Sequence, residues 1–78
     1  MKNVTIYSTP TCGHCHTAKQ YLQENNINYT DYNVAEDPER RQEMIQISGQ
    51  MGVPVILVDK ELVVGFDQSR LASLLDLE

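Results

Sequence analysis

The first 24 residues constrain the fold most, because a strand-like pattern changes to a helical one there within a few positions. Residues 4–7 (VTIY) are β-branched or aromatic, which favours a strand, and we interpret it as a central one. Pro10 lacks a backbone donor and marks a turn. From residue 13 to about residue 24, apolar side chains recur at spacings of three and four, which predicts an amphipathic helix. Cys12 and Cys15 lie at the junction of these two elements.

Three further strands and two further helices are predicted downstream. The strands are expected at residues 27–33, which alternate weakly, at 55–58, which are apolar throughout, and at 61–64, which follow a two-residue turn. Asp37 and Asp67 are good helix N-caps, and Pro38 and Gly49 mark the beginning and the end of the second helix. The predicted order is β-α-β-α-β-β-α, an α/β fold in which helices flank a four-stranded mixed sheet on both faces.

The chain has 78 residues, which suffices for a single small domain over residues 1–78. An active site in so small a domain must lie at the surface, at the end of an element. We expect Met44 and Met51 to serve in packing. The other residues predicted to form the core are Ile6, Tyr7, Ala18, Leu22, Ile56 and Leu74.

Charge and hydropathy exclude several classes of partner. Six basic and eleven acidic residues give a net charge of −5. The basic residues are scattered and form no stripe that could follow phosphates, so neither nucleic acid nor an anionic membrane surface is expected as a partner. No apolar run approaches the roughly 20 residues of a transmembrane helix. The first residues show no signal-peptide pattern, so we expect the protein in the cytoplasm. We also expect it to be a monomer.

The spacing of the two cysteines indicates chemistry and not a structural crosslink. In a reducing compartment, two thiols three positions apart do not form a permanent structural disulfide. A disulfide that closes so short a loop would also add little stability. Redox chemistry or metal binding remains. At a helix start, free N–H groups and the positive end of the helix dipole favour a thiolate, and only a thiolate attacks a disulfide. We therefore predict that Cys12 is the nucleophile and Cys15 the resolving thiol.

Two histidines, His14 and His16, flank Cys15. A partly protonated His14 would stabilise the Cys12 thiolate, which makes it a candidate catalytic residue; the alternative is a solvated loop residue. His16 completes a CxxCH pattern, which is typical of c-type haem attachment, but no haem pocket is evident, and we interpret it as an exposed first-turn residue. The four side chains cannot converge on one tetrahedral metal at a helix start, so no metal is expected in a single chain. An iron–sulfur cluster bridging two chains, with glutathione as co-ligand, stays open as an alternative.

Three segments resemble the signature sites of glutaredoxins. They are residues 7–15 (YSTPTCGHC), Gly52-Val53-Pro54 and Gly65-Phe66-Asp67, and in order and spacing they cover essentially the whole chain. The length is similar to that of a minimal bacterial glutaredoxin or an NrdH-type redoxin, the small electron donor to ribonucleotide reductase. The resemblance implies a thioredoxin-like fold, a redox-active cysteine pair and no bound cofactor, with glutathione as a co-substrate.

The resemblance also implies a place for the substrate. The Val53–Pro54 peptide would be cis and would face the two sulfurs, and the backbone beside it would pair with the substrate chain as a short strand. The helix end at Asp67 would receive a carboxylate of glutathione. The residues expected to contact substrate or glutathione are Thr11, Val53, Pro54, Gly65, Phe66 and Asp67.

Several positions depart from the family pattern. Glutaredoxins usually carry Lys or Arg where this chain has Thr9, Pro-Tyr where it has Gly13-His14, and glycine where it has Val64. NrdH-type redoxins usually contain a tryptophan, and this chain has none. Because the missing cation should weaken glutathione binding, either glutathione or a thioredoxin-reductase-type flavoenzyme could recycle the disulfide.

The predicted function is a thiol–disulfide oxidoreductase that reduces protein or glutathione mixed disulfides through its Cys-Gly-His-Cys dithiol. It would serve as a cellular electron donor in redox homeostasis. The protein substrate stays open, and so does the acceptor of the Cys15 proton, for which Lys19 is a candidate one helical turn further along.

Overall fold

The computed structural model describes residues 3–77, and within this range the chain forms four strands and three helices in the predicted order. The predicted domain bounds, residues 1 and 78, lie outside the described residues. The elements are β1 (Val4–Ser8), α1 (Gly13–Glu24), β2 (Thr30–Asn33), α2 (Pro38–Ser48), β3 (Val55–Val58), β4 (Glu61–Val64) and α3 (Gln68–Leu74).

The strands form one mixed sheet in the order β2-β1-β3-β4, which confirms the predicted sheet and the central position of β1. Strand β1 is parallel to β2 and antiparallel to β3, and β3 and β4 form the predicted hairpin. In the antiparallel register Tyr7 pairs with Val55. The carboxyl end of β1 therefore lies beside the amino end of β3, which places the segments around Cys12 and Pro54 next to each other.

Hydrophobic clusters cover both faces of the sheet. Because side chains alternate along a strand, Ile6 and Tyr7 face opposite sides. The side of Ile6 packs against α1 and α3, in a cluster with Ala18, Leu22, Ile56, Val58, Val63 and Leu71. The side of Tyr7 packs against α2, in a cluster with Val34, Met44 and Val55. Each fully buried large apolar side chain contributes about 1.5–3 kcal/mol, so α1 is held firmly against the sheet that carries the preceding loop.

Strand β2 begins at Thr30, three residues later than the predicted start at residue 27. The intervening chain ends α1. Asn26 takes a left-handed conformation with φ of 59°, its amide donates to the Gln23 carbonyl, and the Ile27 amide donates to the Leu22 carbonyl. This is the hydrogen-bond pattern of a Schellman motif, and Ile27 packs against the core as that motif favours. The apolar residue at 27 thus belongs to a helix cap and not to a strand.

The predicted helix caps are confirmed. The side chain of Asp37 accepts from the Arg40 amide, that of Asp67 accepts from the Arg70 amide, and Gly49 ends α2 with φ of 73°. Leu74, predicted in the core, is only half-buried. Between residues 3 and 77, none of the helices has the length and apolar character needed to cross a bilayer.

Candidate active site

The Cys12 side chain caps the helix that follows it. Cys12 has extended backbone angles and is the N-cap of α1, and its Sγ accepts a hydrogen bond from the Cys15 amide at 3.1 Å. This amide is one of the first-turn N–H groups that have no partner inside the helix. A negatively charged sulfur would accept from it more strongly than a thiol and would also interact favourably with the helix dipole. The half-buried Cys12 therefore lies at the start of a helix, as predicted, and its role as the nucleophile stays a prediction.

The segment before β3 lies against the same sulfur. The Val53–Pro54 peptide is cis, which confirms the expectation from the family resemblance. Cys12 Sγ lies 3.8 Å from the Val53 carbonyl oxygen, to which the thiol can donate. Pro54 is buried, whereas Val53 is half-buried. The role of the Val53 backbone in pairing with a substrate chain stays a prediction.

The second cysteine is in the opposite environment. Cys15 is fully buried. Burial raises the pKa of its thiol to about 12, and the hydrogen bond and charge of Cys12 act in the same direction. A backbone hydrogen bond with Thr9 and the positive charge of Lys19 lower this pKa and only partly oppose the effect. Cys15 thus stays protonated while Cys12 is free.

A polar network beside Cys15 was not predicted from the sequence. The Ser8 hydroxyl donates to Asp31 Oδ1 at 2.7 Å, and Lys19 Nζ donates to Asp31 Oδ2 at 3.0 Å. Lys19 Nζ also lies 3.5 Å from Ser8 Oγ. The strand register explains why these side chains are close together. Ser8 follows Ile6 by two positions, and Asp31 is the partner of Ile6 on β2. Both side chains therefore face α1, as Ile6 does. A polar residue at the end of a buried strand was the available signal.

The third signature segment reaches the site through its backbone. The Gly65 amide donates to the Pro54 carbonyl at 2.8 Å, and Gly65 has φ of 81°, a value that a side chain would disfavour. The half-buried Phe66 ring packs edge-on against Tyr21, with centroids 5.8 Å apart. Asp67 uses its carboxylate to cap α3. The roles of these three residues in binding substrate or glutathione stay predictions.

Several residues in the signature segments and beside them are exposed. Thr11 and His14 are exposed, as are Gly52 and Met51. Met51 exposes 65 % of its surface, so the prediction that it serves in packing was wrong, whereas Met44 is fully buried as expected. Met51 follows Gly49 and Gln50 in the loop between α2 and β3, which contributes no core contact at that position. The structure thus places an apolar side chain two residues before Val53.

A half-buried sulfur at a helix N-terminus, with a buried and protonated sulfur one turn behind it, is an arrangement that suits thiol–disulfide exchange. The sheet and helices that carry the pair form a thioredoxin-like fold, and together with the family match over residues 4–63 this places the protein in the thiol–disulfide oxidoreductase class. The chain belongs to the glutaredoxin family, whose sequence model matches residues 4–63.

Individual relatives agree with this assignment. A glutaredoxin-like 8.6 kDa protein in the rubredoxin operon of Clostridium pasteurianum is 45% identical over 73 residues, which are 94% of this chain and 97% of the relative. The crystal structure of a mutant thioredoxin-like protein matches with a TM-score of 0.92 and 31% identity over 100% of both chains. The NrdH-redoxin of Escherichia coli, a glutaredoxin-like protein described with a thioredoxin-like activity profile, matches with a TM-score of 0.81 and 25% identity over 92% of this chain and 93% of its own.

Proposed function

We propose that this chain is a dithiol reductant of protein disulfides and glutathione mixed disulfides, and that it acts as a cellular electron donor in redox homeostasis. The observation that carries the proposal is the unequal pair of sulfurs. Cys12 is half-exposed and caps α1, whereas Cys15 is buried with its pKa raised to about 12. This division supports a nucleophile and a resolving thiol.

In the first step the Cys12 thiolate attacks one sulfur of the substrate disulfide. A Cys12–substrate disulfide forms, the substrate S–S bond breaks, and the other substrate sulfur leaves as a thiolate that takes a proton from solvent. The Cys15 amide, 3.1 Å from Cys12 Sγ, stabilises the attacking anion. In our proposal the substrate chain pairs with the backbone of Val53, whose carbonyl lies 3.8 Å from the same sulfur.

In the second step Cys15 loses its proton and its sulfur attacks Cys12 Sγ. The Cys12–Cys15 disulfide forms, and the remaining substrate sulfur leaves as a thiolate, so the dithiol has given two electrons to the substrate. Once Cys12 is in a mixed disulfide, it no longer carries the charge that helps to raise the pKa of Cys15. The positive charge of Lys19, fixed by Asp31, then favours the Cys15 thiolate. We assign Lys19 the role of stabilising that anion, and solvent the role of taking the proton.

For recycling, we favour a thioredoxin-reductase-type flavoenzyme over glutathione. Position 9 is a threonine and position 50 a glutamine, so neither supplies a cation for an anionic tripeptide, and the net charge of −5 opposes its approach. The thioredoxin-like activity profile described for the NrdH-redoxin of Escherichia coli supports the same choice. We place this reaction in the cytoplasm, with the protein acting as a monomer.

Two coupled assays of NADPH oxidation, run side by side on the same protein disulfide, test the proposal. One supplies thioredoxin reductase alone, and the other supplies glutathione and glutathione reductase. We expect turnover mainly in the first. Turnover only in the second would replace the flavoenzyme by glutathione, and turnover in neither would contradict the reductase function itself.

The alternative class, an iron–sulfur carrier that bridges two chains, can be tested directly. Between residues 3 and 77, no three side chains of the metal-ligating types come together in one chain. A bridging cluster would draw one ligand, Cys12, from each chain and the others from glutathione. Anaerobic purification with glutathione that gives a brown dimer would favour this alternative, whereas a colourless protein with full reductase activity would favour the dithiol reductant.

A further inference from the structure

His16 forms a contact that the reaction described above does not use. Its ring Nε2 lies 2.8 Å from the carbonyl oxygen of Pro10, six residues earlier in the chain. A carbonyl oxygen only accepts, so the nitrogen must carry the hydrogen and donate it. His16 lies in the first turn of α1, and its own amide donates to the Cys12 carbonyl. The side chain therefore ties the helix back to the loop that precedes the nucleophile.

The Pro10 carbonyl belongs to a tight turn in that loop. The Cys12 amide donates to the Thr9 carbonyl at 3.3 Å, which closes a β-turn over residues 9–12. Its central peptide joins Pro10 to Thr11. The two common turn types differ by a flip of this peptide, and the flipped form needs a positive φ at the third residue. Among the described residues, the non-glycines with positive φ are Asn26, Asp59 and Asp76, so Thr11 is in the unflipped form.

The direction of this peptide bears on both sulfurs. The ring of Pro10 fixes its φ. The path by which the chain enters α1 therefore depends on ψ of Pro10 and φ of Thr11, the two torsions that flank the central peptide. Cys12 is the last residue of the turn and carries the nucleophile. Thr9 is the first residue of the turn, and its backbone hydrogen bond with Cys15 favours the thiolate of that residue. A flip of the peptide would shift the sulfur of Cys12 and would disturb the hydrogen bond between the Thr9 backbone and Cys15.

We propose that His16 is a positioning residue for thiol–disulfide exchange: by donating from Nε2 to the Pro10 carbonyl, it fixes the central peptide of the turn over residues 9–12 and so holds Cys12 and the Thr9 backbone in register with Cys15. The proposal rests on the dithiol reaction above. It does not require a particular physiological substrate or recycling enzyme. It gives a role to His16, for which the sequence predicted only an exposed position in the first turn of the helix.

The test uses the full chain and a small aromatic disulfide, dithiobis-nitrobenzoate, in stopped-flow mixing with the reduced protein. Attack by Cys12 releases one coloured thiolate in a phase that depends on reagent concentration. Attack by Cys15 on the mixed disulfide releases the second in a first-order phase. We expect His16→Leu to slow the first-order phase about three- to tenfold, the usual effect of losing one hydrogen bond. His16→Gln keeps an N–H donor at similar reach and should stay within about twofold of the parent.

Gln20→Leu is the matched control, because it makes the same exchange of polar for apolar side chain at an exposed position of α1. It should leave both phases unchanged. An unchanged first-order phase in His16→Leu, or an equal loss in His16→Gln, would overturn the proposal. Since the reagent replaces any biological partner, these results do not depend on the coupled assays that test the reductase function.

A second measurement needs no variant and so survives if His16→Leu fails to fold. Long-range proton–nitrogen correlation spectra identify which imidazole nitrogen carries the hydrogen. In neutral His16 we expect the hydrogen on Nε2, as the 2.8 Å contact with the Pro10 carbonyl requires. A hydrogen on Nδ1 would show that the ring does not donate to the turn, and the proposal would be wrong.

Discussion

The backbone amide of Cys15 donates a hydrogen bond to Cys12 Sγ across 3.1 Å, so the residue proposed to resolve the mixed disulfide also supplies a donor to the sulfur of the proposed nucleophile. The donor belongs to the backbone and the resolving sulfur to the side chain. The two contributions of Cys15 can therefore be separated by substitution.

Cys15→Ser should retain the first chemical step and abolish the second. The backbone amide and the cap of α1 persist, so Cys12 still attacks a protein disulfide, but no sulfur remains to release the product. We expect a stable mixed disulfide, seen by mass spectrometry, and reduction of the protein substrate at background level. Cys12→Ser is the matched control and should form no adduct. A Cys15→Ser protein that still reduces the protein disulfide at the parent rate would contradict the dithiol mechanism.

The stability of the reduced protein should fall in alkaline solution because of Cys15. Burial raises the pKa of this thiol from 9.0 to about 12, so between those values the unfolded chain loses a proton that the folded chain keeps. The free energy of unfolding therefore decreases as pH rises through this window and is unaffected below it. Urea unfolding of the reduced protein at about pH 8 and about pH 10 measures the change.

Cys15→Ser again serves as the reference, because it keeps every other alkaline group, including Tyr7, whose pKa is also raised by burial. The parent should lose more stability than the variant over the same interval. Equal losses in the two proteins would mean that Cys15 titrates normally in the folded state.

Removal of the Lys19 charge should slow the release of product from the mixed disulfide. Lys19 lowers the pKa of Cys15 and is fixed by its ion pair with Asp31 at 3.0 Å. In Lys19→Met we expect a smaller thiolate fraction at neutral pH and a resolving step slower by about two- to tenfold, since one pKa unit corresponds to a factor of ten. Lys19→Arg retains the charge and should stay close to the parent. Stopped-flow mixing with the aromatic disulfide measures the step, and equal rates in Met and Arg variants would exclude an electrostatic role.

Restoring a cation before the cysteine pair should improve the use of glutathione. Thr9 stands three residues before Cys12, at the position where glutaredoxins usually carry Lys or Arg. We expect Thr9→Lys to lower the KM for a glutathionylated peptide by about two- to tenfold, within the range of a single partly exposed ion pair. Gln20→Lys adds the same charge elsewhere on the surface and should change little. A KM that responds equally to both variants would indicate only the effect of net charge.

The parts of the fold predicted from the sequence are those that local chemistry determines. The caps at Asp37, Gly49 and Asp67 depend on side chains and backbone freedom a few residues away, and all three are present. Ile27 was assigned to a strand because an apolar residue just after a helix can either begin a strand or pack against the core as part of a Schellman motif. Only the length of the preceding helix decides between them.

The positions of Cys12 at the helix start and of Cys15 one turn further along were also predictable, since they follow from a CxxC motif at a strand-to-helix junction. The contacts around them were not. Asp31 meets Ser8 and Lys19 through the register of two parallel strands, which is fixed by packing of the whole sheet. The contact of His16 with Pro10 depends on the direction of a single peptide plane. Contacts of this kind depend on the three-dimensional structure and produce no periodic pattern in the sequence.

The sulfur of Cys12, which caps α1, is also the sulfur that the proposed reaction oxidises in each cycle. In a disulfide, Cys12 carries no charge and accepts more weakly from the Cys15 amide, so the first turn of the helix loses part of its stabilisation with each oxidation and regains it with each reduction. Local opening of this turn should thus be more frequent in the oxidised protein, and faster hydrogen exchange at the amides of residues 13–16 would report it. If the exchange is faster, a recycling enzyme would meet a less ordered helix end than a substrate would, and the protein could distinguish the two classes of partner by local order as well as by shape.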